Sequence, residues 1–360
     1  MKIVLVINDI TGLGGAERVV TLAANNFIIE ENVEVEILSV FPKRNKEIGF
    51  SLHKMVKVTY LNPNGVSGNS IQKIFSYLKK LGSFYTSKKY NYIICCSSSL
   101  SILTRIAIVK SKTIKSKVIS WEHTQHSHLS KNVNRLQRVC YPFLDGIVTL
   151  TSFDKDIFSK FCKNVAYIPN ISTFKEVEYN NLQSKKVIAV GRLNKAKGFH
   201  LLIRSFALVH KENPDWTLDI FGEGILFENL ANQIKEEGLT NVIKLRGYES
   251  NILRQYQNAS IFALSSRTEG FPCVLVEAMS AGLPSVNFEL PGFNEVIKNN
   301  QNGLLIEPNN IHEFAKGINK LIENKKLRLE IGKNAIESVQ QFRGDNIIPK
   351  WLHLFKEIEN

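Results

Sequence analysis

Glu269 and Glu277 stand eight positions apart in EGFPCVLVE, with a Gly-Phe-Pro turn after the first and an apolar run before the second. Carboxylates so placed could form one acid–base pair, or act as two separate grips on one ligand. Pro272 suits a helix start. Glu269 would then lie in the loop above the preceding run SIFALSS, and Glu277 about one and a half turns into the helix, so the two need not meet. The amides of Gly270 and Phe271, with the helix N-terminus, offer an anion site. Glu277 has apolar neighbours on most sides, and a buried carboxylate requires hydrogen-bonding partners. Sugar or ribose hydroxyls would supply them; a plain buried helix between polar ends is the other reading.

The stretch VGRLNKAKGF (190–199) carries Arg192, Lys195 and Lys197 within six residues, after an apolar run. The planar fork of Arg holds phosphate oxygens in pairs, and Lys adds a compact charge. At a helix start this describes a diphosphate site, although charge runs are more often solvated faces. A second candidate is TGLGGAERVV (11–20), where Gly14 and Gly15 would let a ligand approach the backbone at a helix N-terminus. Gly12 and Gly14 begin a GxGxxG pattern. Glu17, however, stands at the third glycine, and the second apolar run ends in Ser39 and Val40 where a ribose-binding acid belongs, which counts against a dehydrogenase. A tight turn without a ligand is the alternative.

SWEHTQHSH (120–128) follows another apolar run and brings His123, His126 and His128. It lacks a second ligand cluster, so no metal is expected. With strand alternation, Glu122 points to the face opposite His123. DKD (154–156) looks like a metal-binding DxD, but it follows Ser152 at a helix start, where acids complement the helix dipole. It reads as capping. No metal and no cofactor are expected.

Elements able to hold these residues alternate along the chain. Strand candidates are KIVLVIN (2–8), VEVEILSV (33–40), VKVTYL (56–61), YIICCS (92–97), KVISWEH (117–123), GIVTL (146–150) and VAYIPN (165–170), with helical periodicity at 15–29 and 99–110. The pattern recurs as KVIAVGRL (186–193), TLDIFG (217–222), VIKLRGY (242–248), SIFALSS (260–266), LPSVNF (283–288) and GLLIEP (303–308). Helices are expected near 198–211, 225–237, 251–258 and 272–281, and two more close the set. Alternation of this kind implies an α/β chain of two parallel sheets covered by helices. Ligands bind at the carboxyl ends of such strands. The polar, aperiodic segment 170–186 is the expected linker, and IIPKWLHLFKEI is an amphipathic helix that could cross back onto the first domain.

With 360 residues, 44% of them apolar and 22% charged, the chain is long enough for two globular domains. The first 172 residues hold 23 Lys and Arg against 11 Asp and Glu, so they carry +12 of the total +13; twelve basic residues and no acid lie between Glu47 and Glu122. This basic half is either a solvated surface or one drawn to anionic lipid or a polyanionic substrate. No nucleic-acid recognition module is evident, so nucleic acid is not an expected partner. The five cysteines show no CxxC spacing, and neither disulfides nor zinc are expected. The N-terminal apolar run is too short for a signal peptide, and no window spans a membrane; a cytoplasmic location is expected.

GGAERV, GRLNKAKG and EGFPCVLVEA, in this order and spacing, resemble the retaining glycosyltransferases of the GT-B fold, specifically glycosyltransferase family 4. The resemblance covers essentially the whole chain, and the two glutamates with their upstream Arg and Lys are its specific part. It implies two Rossmann-like domains facing across a cleft: an acceptor-binding domain over 1–172, a nucleotide-sugar domain over 173–345, and a helix over 346–360 crossing back. It also implies that Glu269 contacts the transferred sugar and Glu277 the ribose. Arg192 and Lys197 would hold the donor diphosphate, with the Gly270–Phe271–Pro272 turn facing it, and Gly14 and Gly15 would approach the donor phosphate and the acceptor. His123 is similar to the family's active-site histidine, which hydrogen-bonds the donor sugar, while His126 and His128 fall in the loop beyond. The implied activity is metal-independent, retaining transfer of a hexose or N-acetylhexosamine, UDP-linked, to a saccharide acceptor. The glycine loop, SWEH and RVCYPFLDGIVTLTSFDK look most like enzymes extending bacterial lipid-linked oligosaccharides for surface polysaccharide, which would work as peripheral proteins on the anionic inner membrane face. Three rivals stay open: a sugar-nucleotide epimerase of the same fold, a transferase with a small soluble acceptor, and a sugar-nucleotide sensor without turnover.

Overall fold

Short apolar runs separated by amphipathic segments bury both faces of a strand, which favours parallel pairing beneath helices. The computed structural model describes residues 1–109, 114–126, 129–174, 177 and 181–359. In chain order it has β1 (Lys2–Ile7), α1 (Gly15–Phe27), β2 (Glu34–Ser39), β3 (Lys57–Tyr60), α2 (Ser70–Ser87), β4 (Tyr92–Cys95), α3 (Ser98–Val109), β5 (Lys117–Glu122), α4 (Lys131–Cys140), β6 (Gly146–Thr149), α5 (Ser152–Phe158) and β7 (Val165–Tyr167). There follow β8 (Lys186–Val190), α6 (Phe199–Glu212), β9 (Thr217–Phe221), α7 (Phe227–Glu236), β10 (Ile243–Gly247), α8 (Ile252–Gln257), β11 (Ile261–Leu264), α9 (Cys273–Ser280), β12 (Ser285–Phe288) and β13 (Leu304–Ile306). The helices α10 (Ile311–Glu323), α11 (Lys325–Val339) and α12 (Gly344–Glu359) close the order. Contacts divide the chain into an N-terminal unit, Met1–Ile171 with Gly344–Asn360, and a C-terminal unit, Ser172–Arg343.

The N-terminal sheet runs β3-β2-β1-β4-β5-β6-β7, all parallel. Right-handed crossovers put α1 on one face and α2 to α5 on the other. Val4, Val6, Ile93 and Val118 of the strands pack against Leu81, Phe84 and Tyr85 of α2 and Leu100 and Ile108 of α3. On the opposite face α12 lies beside α1: Trp351 meets the edge of Phe27 at 5.9 Å, and Phe355 stacks on Tyr92 at 4.0 Å.

The C-terminal sheet runs β10-β9-β8-β11-β12-β13, again all parallel, around a core that includes Val187, Ile220, Ala263 and Val286 with Phe206 and Phe314 from the helices. In each sheet the winding direction reverses once, between β1 and β4 and between β8 and β11. Loops diverge above such a point and leave a crevice at the carboxyl ends of the strands. The glycine stretch follows β1; the Arg–Lys stretch follows β8 and Glu269 follows β11. No helix among the described residues is long and apolar enough to cross a membrane.

Candidate functional site

Beyond β8 the chain turns through Gly191–Asn194 into a single 3-10 turn, Lys195–Lys197, capped by Asn194, whose Oδ1 accepts from the Lys197 amide at 3.2 Å. Gly198 then takes φ +63°, a left-handed conformation that glycine adopts without penalty. A Cβ there would stand 2.1 Å from the Ser265 carbonyl oxygen, so the loop after β8 lies directly on the loop after β11. Two hydrogen bonds to backbone carbonyls join the loops: the Ser265 hydroxyl donates to the Lys197 carbonyl at 3.0 Å, and the Arg267 amide donates to the Ala196 carbonyl at 2.7 Å.

This seam brings together two side chains 72 residues apart. Lys197 Nζ donates to Glu269 Oε1, which also accepts from the Ser266 hydroxyl at 2.6 Å. The pair is largely enclosed, with 18% of the lysine and 10% of the glutamate side chain exposed. Their charges cancel. Arg192, Lys195 and Arg267 are exposed on the same two loops, and Arg192 makes no ion pair among the described residues. The field is therefore positive. His200, at the start of α6, reports it: burial pushes its pKa down, and Arg267 and Arg204 push in the same direction.

In α9, Pro272 occupies the cap position, one residue before the first helical position. Phe271 is buried and its ring meets Phe342 edge-on at 5.5 Å, which fixes the turn between the two glutamates. Glu277 is 1% exposed. Its Oε1 accepts from the Thr173 hydroxyl at 2.9 Å and its Oε2 from the Tyr256 hydroxyl at 3.2 Å. The glutamates thus have separate partners, and protein hydroxyls already hold the buried one. Thr173 and Tyr256 lie outside every sequence motif, and Asn194 and Ser266 lie inside the quoted stretches without a chemical signal of their own; a hydroxyl or amide in a loop or a short helix carries no periodic signal.

In the N-terminal unit Gly14 caps α1 and Gly15 opens it; a Cβ at Gly15 would meet nothing within 4 Å, so the surface is open there. Glu17 folds back over Gly12, where a Cβ would come within 2.5 Å of its Oε1, and it pairs with Arg44 at 3.9 Å. That carboxylate stands where a dinucleotide fingerprint has its third glycine, and in the first turn of α1 it complements the helix dipole.

His123 follows β5, its ring 4.5 Å from that of Trp121. Its Nε2 is buried without a hydrogen-bond partner among the described residues. Burial pushes its pKa down to about 4, so the imidazole is neutral at neutral pH. Glu122, beside it in sequence, is buried and accepts from Ser98 at 2.9 Å and from Ser120 and Tyr141 at 2.5 Å; burial raises its pKa. The His126 amide donates to Asp154 Oδ1 at 3.1 Å, and burial lowers the His126 pKa. His128 lies outside the described residues. In DKD the cap of α5 is Thr151, whose Oγ1 accepts from the Asp154 amide at 3.1 Å. Among the described residues no group of three or more His, Cys, Asp or Glu is placed to hold a metal ion.

The sequence pattern of the family described as Glycosyl transferases group 1 matches residues 170–338. A Haemophilus influenzae protein described as an uncharacterized glycosyltransferase is 30% identical over 363 residues, covering 97% of this chain and 98% of its own length. A Campylobacter jejuni protein named GalNAc-alpha-(1->4)-GalNAc-alpha-(1->3)-diNAcBac-PP-undecaprenol alpha-1,4-N-acetyl-D-galactosaminyltransferase is 28% identical, covering 100% of this chain and 99% of its own. Among solved structures, a mutant of Staphylococcus aureus TarM in complex with fondaparinux, alpha-GlcNAc-glycerol and UDP superposes with a TM-score of 0.84 at 17% identity, over 98% of this chain and 99% of TarM. At that identity the likeness concerns the fold.

Proposed function

The chain belongs to the glycosyl transferases group 1 family and is a glycosyltransferase of the GT-B fold, and from that premise we propose that it moves a hexose or N-acetylhexosamine from a UDP-linked donor to a hydroxyl of a lipid-linked saccharide, with retention. The observation that carries the donor assignment is the seam at β8 and β11, where the Lys197–Glu269 pair lies beside the exposed Arg192. Arg192 and Lys197 hold the two phosphates, and the Gly270–Phe271–Pro272 turn faces them. Glu269 accepts from sugar hydroxyls and keeps the Lys197 ammonium in place. Glu277, steadied by Thr173 and Tyr256, takes the ribose.

In the reaction the bond between the anomeric carbon and the phosphate oxygen breaks, and the acceptor oxygen bonds to that carbon on the same face. The acceptor proton passes to the departing phosphate oxygen. Charge grows on the diphosphate as the bond breaks, and cations fixed beside it stabilise that charge more than they stabilise the bound donor. His123, neutral and without a partner on Nε2, supplies a hydrogen bond to the donor sugar near the reacting carbon, and the open backbone at Gly14 and Gly15 admits the donor phosphate and the acceptor. The lipid-linked acceptor is supported by the Campylobacter relative, whose name gives a PP-undecaprenol substrate, and by the basic N-terminal unit. It sets the enzyme on the cytoplasmic face of an anionic membrane.

Incubation with a panel of nucleotide sugars, read as slow donor hydrolysis and as transfer to a lipid-diphosphate saccharide, tests this. Glu277→Ala is expected to weaken UDP binding by about tenfold or more, the loss of a charge-assisted hydrogen bond. Unchanged UDP affinity in that variant would remove the donor site from these residues, and free epimerised sugar in place of product would replace transfer by epimerisation.

A further inference from the structure

On the outer side of the N-terminal unit, α2 packs on α3 and α3 on α4. These three helices contain seven Lys and Arg and neither Asp nor Glu. Sixteen large hydrophobic side chains are exposed among the described residues, and eight of them lie on these helices or in the turn after α4. Phe75 is 61% exposed, Val109 68%, Val139 66% and Phe143 64%. Scattered singly, such residues need no account; half of them gathered on one basic helical layer do. Along α4 the two kinds stand side by side, Arg135 next to Leu136 and Arg138 next to Val139. Between α2 and α3 runs an open groove of about 680 Å³ lined by Phe75, Leu78 and Ile106, with Lys79 beside them.

The charge selects the occupant. A second copy of the chain would bring like charge against like, six cations on each side once Arg105, paired with Asp145 at 3.9 Å, is set aside. A nucleic acid would satisfy the charges and leave the aliphatic and aromatic side chains in water. An anionic bilayer satisfies both, with the cations at the headgroups and the apolar side chains just beneath them. We propose that the outer face of α2, α3 and α4 seats the protein on an anionic lipid bilayer, with Phe75, Val109, Val139 and Phe143 entering the headgroup boundary. The proposal rests on the membrane-facing part of the reading above and specifies the surface that would serve it.

Co-sedimentation with phosphatidylcholine vesicles, with and without phosphatidylglycerol, tests it. The wild-type chain is expected to pellet only with the anionic vesicles. Lys79→Glu with Arg135→Glu and Arg138→Glu should lower partitioning at least about a hundredfold, each cation near the surface being worth about fivefold. Phe75→Ser with Val139→Ser and Phe143→Ser should lower it about tenfold or more, including at salt high enough to screen charge. Ile225→Ser with Phe227→Ser, exposed in the other unit, should change nothing. Equal binding by all variants overturns the proposal, as does binding to duplex DNA in place of vesicles, or self-association that disappears with the face variants. Hydrolysis of the donor without vesicles is measured alongside. Its preservation in the face variants shows that they are folded; its absence in the wild type would count against the glycosyl-transfer reading alone.

Discussion

Replacing Lys197 by Met keeps the length of the side chain and removes its charge. Both members of the Lys197–Glu269 pair are mostly enclosed, so solvent screens little of the loss. Glu269 would retain one hydrogen bond, from Ser266 at 2.6 Å, and lose its countercharge. A carboxylate left so costs about 2–4 kcal/mol. In a unit of this size, residues 172–343, each kcal/mol moves Tm by about 2–4 °C, so its transition should fall by about 5–15 °C. Adding Glu269→Gln to Lys197→Met removes the stranded charge and should restore most of that loss. Turnover behaves differently: withdrawal of a cation from the growing diphosphate charge costs about a hundredfold to a thousandfold in kcat, and restored stability does not return it. Scanning calorimetry gives the first quantity and initial transfer rates the second, with Glu269→Gln alone giving the carboxylate's own share. The reasoning fails if Lys197→Met transfers sugar within a few-fold of wild type, or if turnover recovers together with Tm in the double variant.

Gly198→Ala should destabilise the C-terminal unit by at least about 2 kcal/mol, since it combines left-handed strain with a backbone oxygen 2.1 Å away; a urea melt equal to wild type would contradict the described seam. For His123, the folded pKa of about 4 lies below the ordinary 6.5. Between those values the unfolded chain binds a proton that the folded chain does not, so stability falls as pH drops through this window, by up to about 3 kcal/mol, and is unaffected above it. Buried Glu122, with its raised pKa, acts in the opposite sense. The comparison is therefore the difference between wild type and His123→Asn in melts at about pH 7 and about pH 4.5, where the wild type should lose more.

The sheets were legible in the sequence because both faces of a parallel strand are covered: β4, β8 and β11 appear as apolar runs without alternation. Positions at strand carboxyl ends were legible for the same reason. Less of α2 was legible. Leu81, Phe84 and Tyr85 are buried there while Ile71, Ile74 and Phe75 are exposed, so apolar spacing alone does not tell which end of the helix meets the core. Arg192, Lys197, Glu269 and Glu277 could be named from residue type and spacing. That Lys197 meets Glu269 could not, because it depends on strand order, which makes β8 and β11 neighbours, and on one left-handed glycine at the seam. Thr173 and Tyr256, the partners of Glu277, are ordinary residues made relevant only by where the chain returns.

The return of α12 to the N-terminal unit bears on how the protein is made. A ribosome releases residues 1–171 first, yet the face of that sheet around Phe27 and Tyr92 stays bare until Trp351 and Phe355 have been translated. Residues 172–343 are contiguous and have all their own strands before then. The order of maturation is therefore inverted with respect to synthesis: the segment made second can finish first, and the nascent first half waits, with aromatic surface uncovered, for a helix that leaves the exit tunnel after residues 172–343.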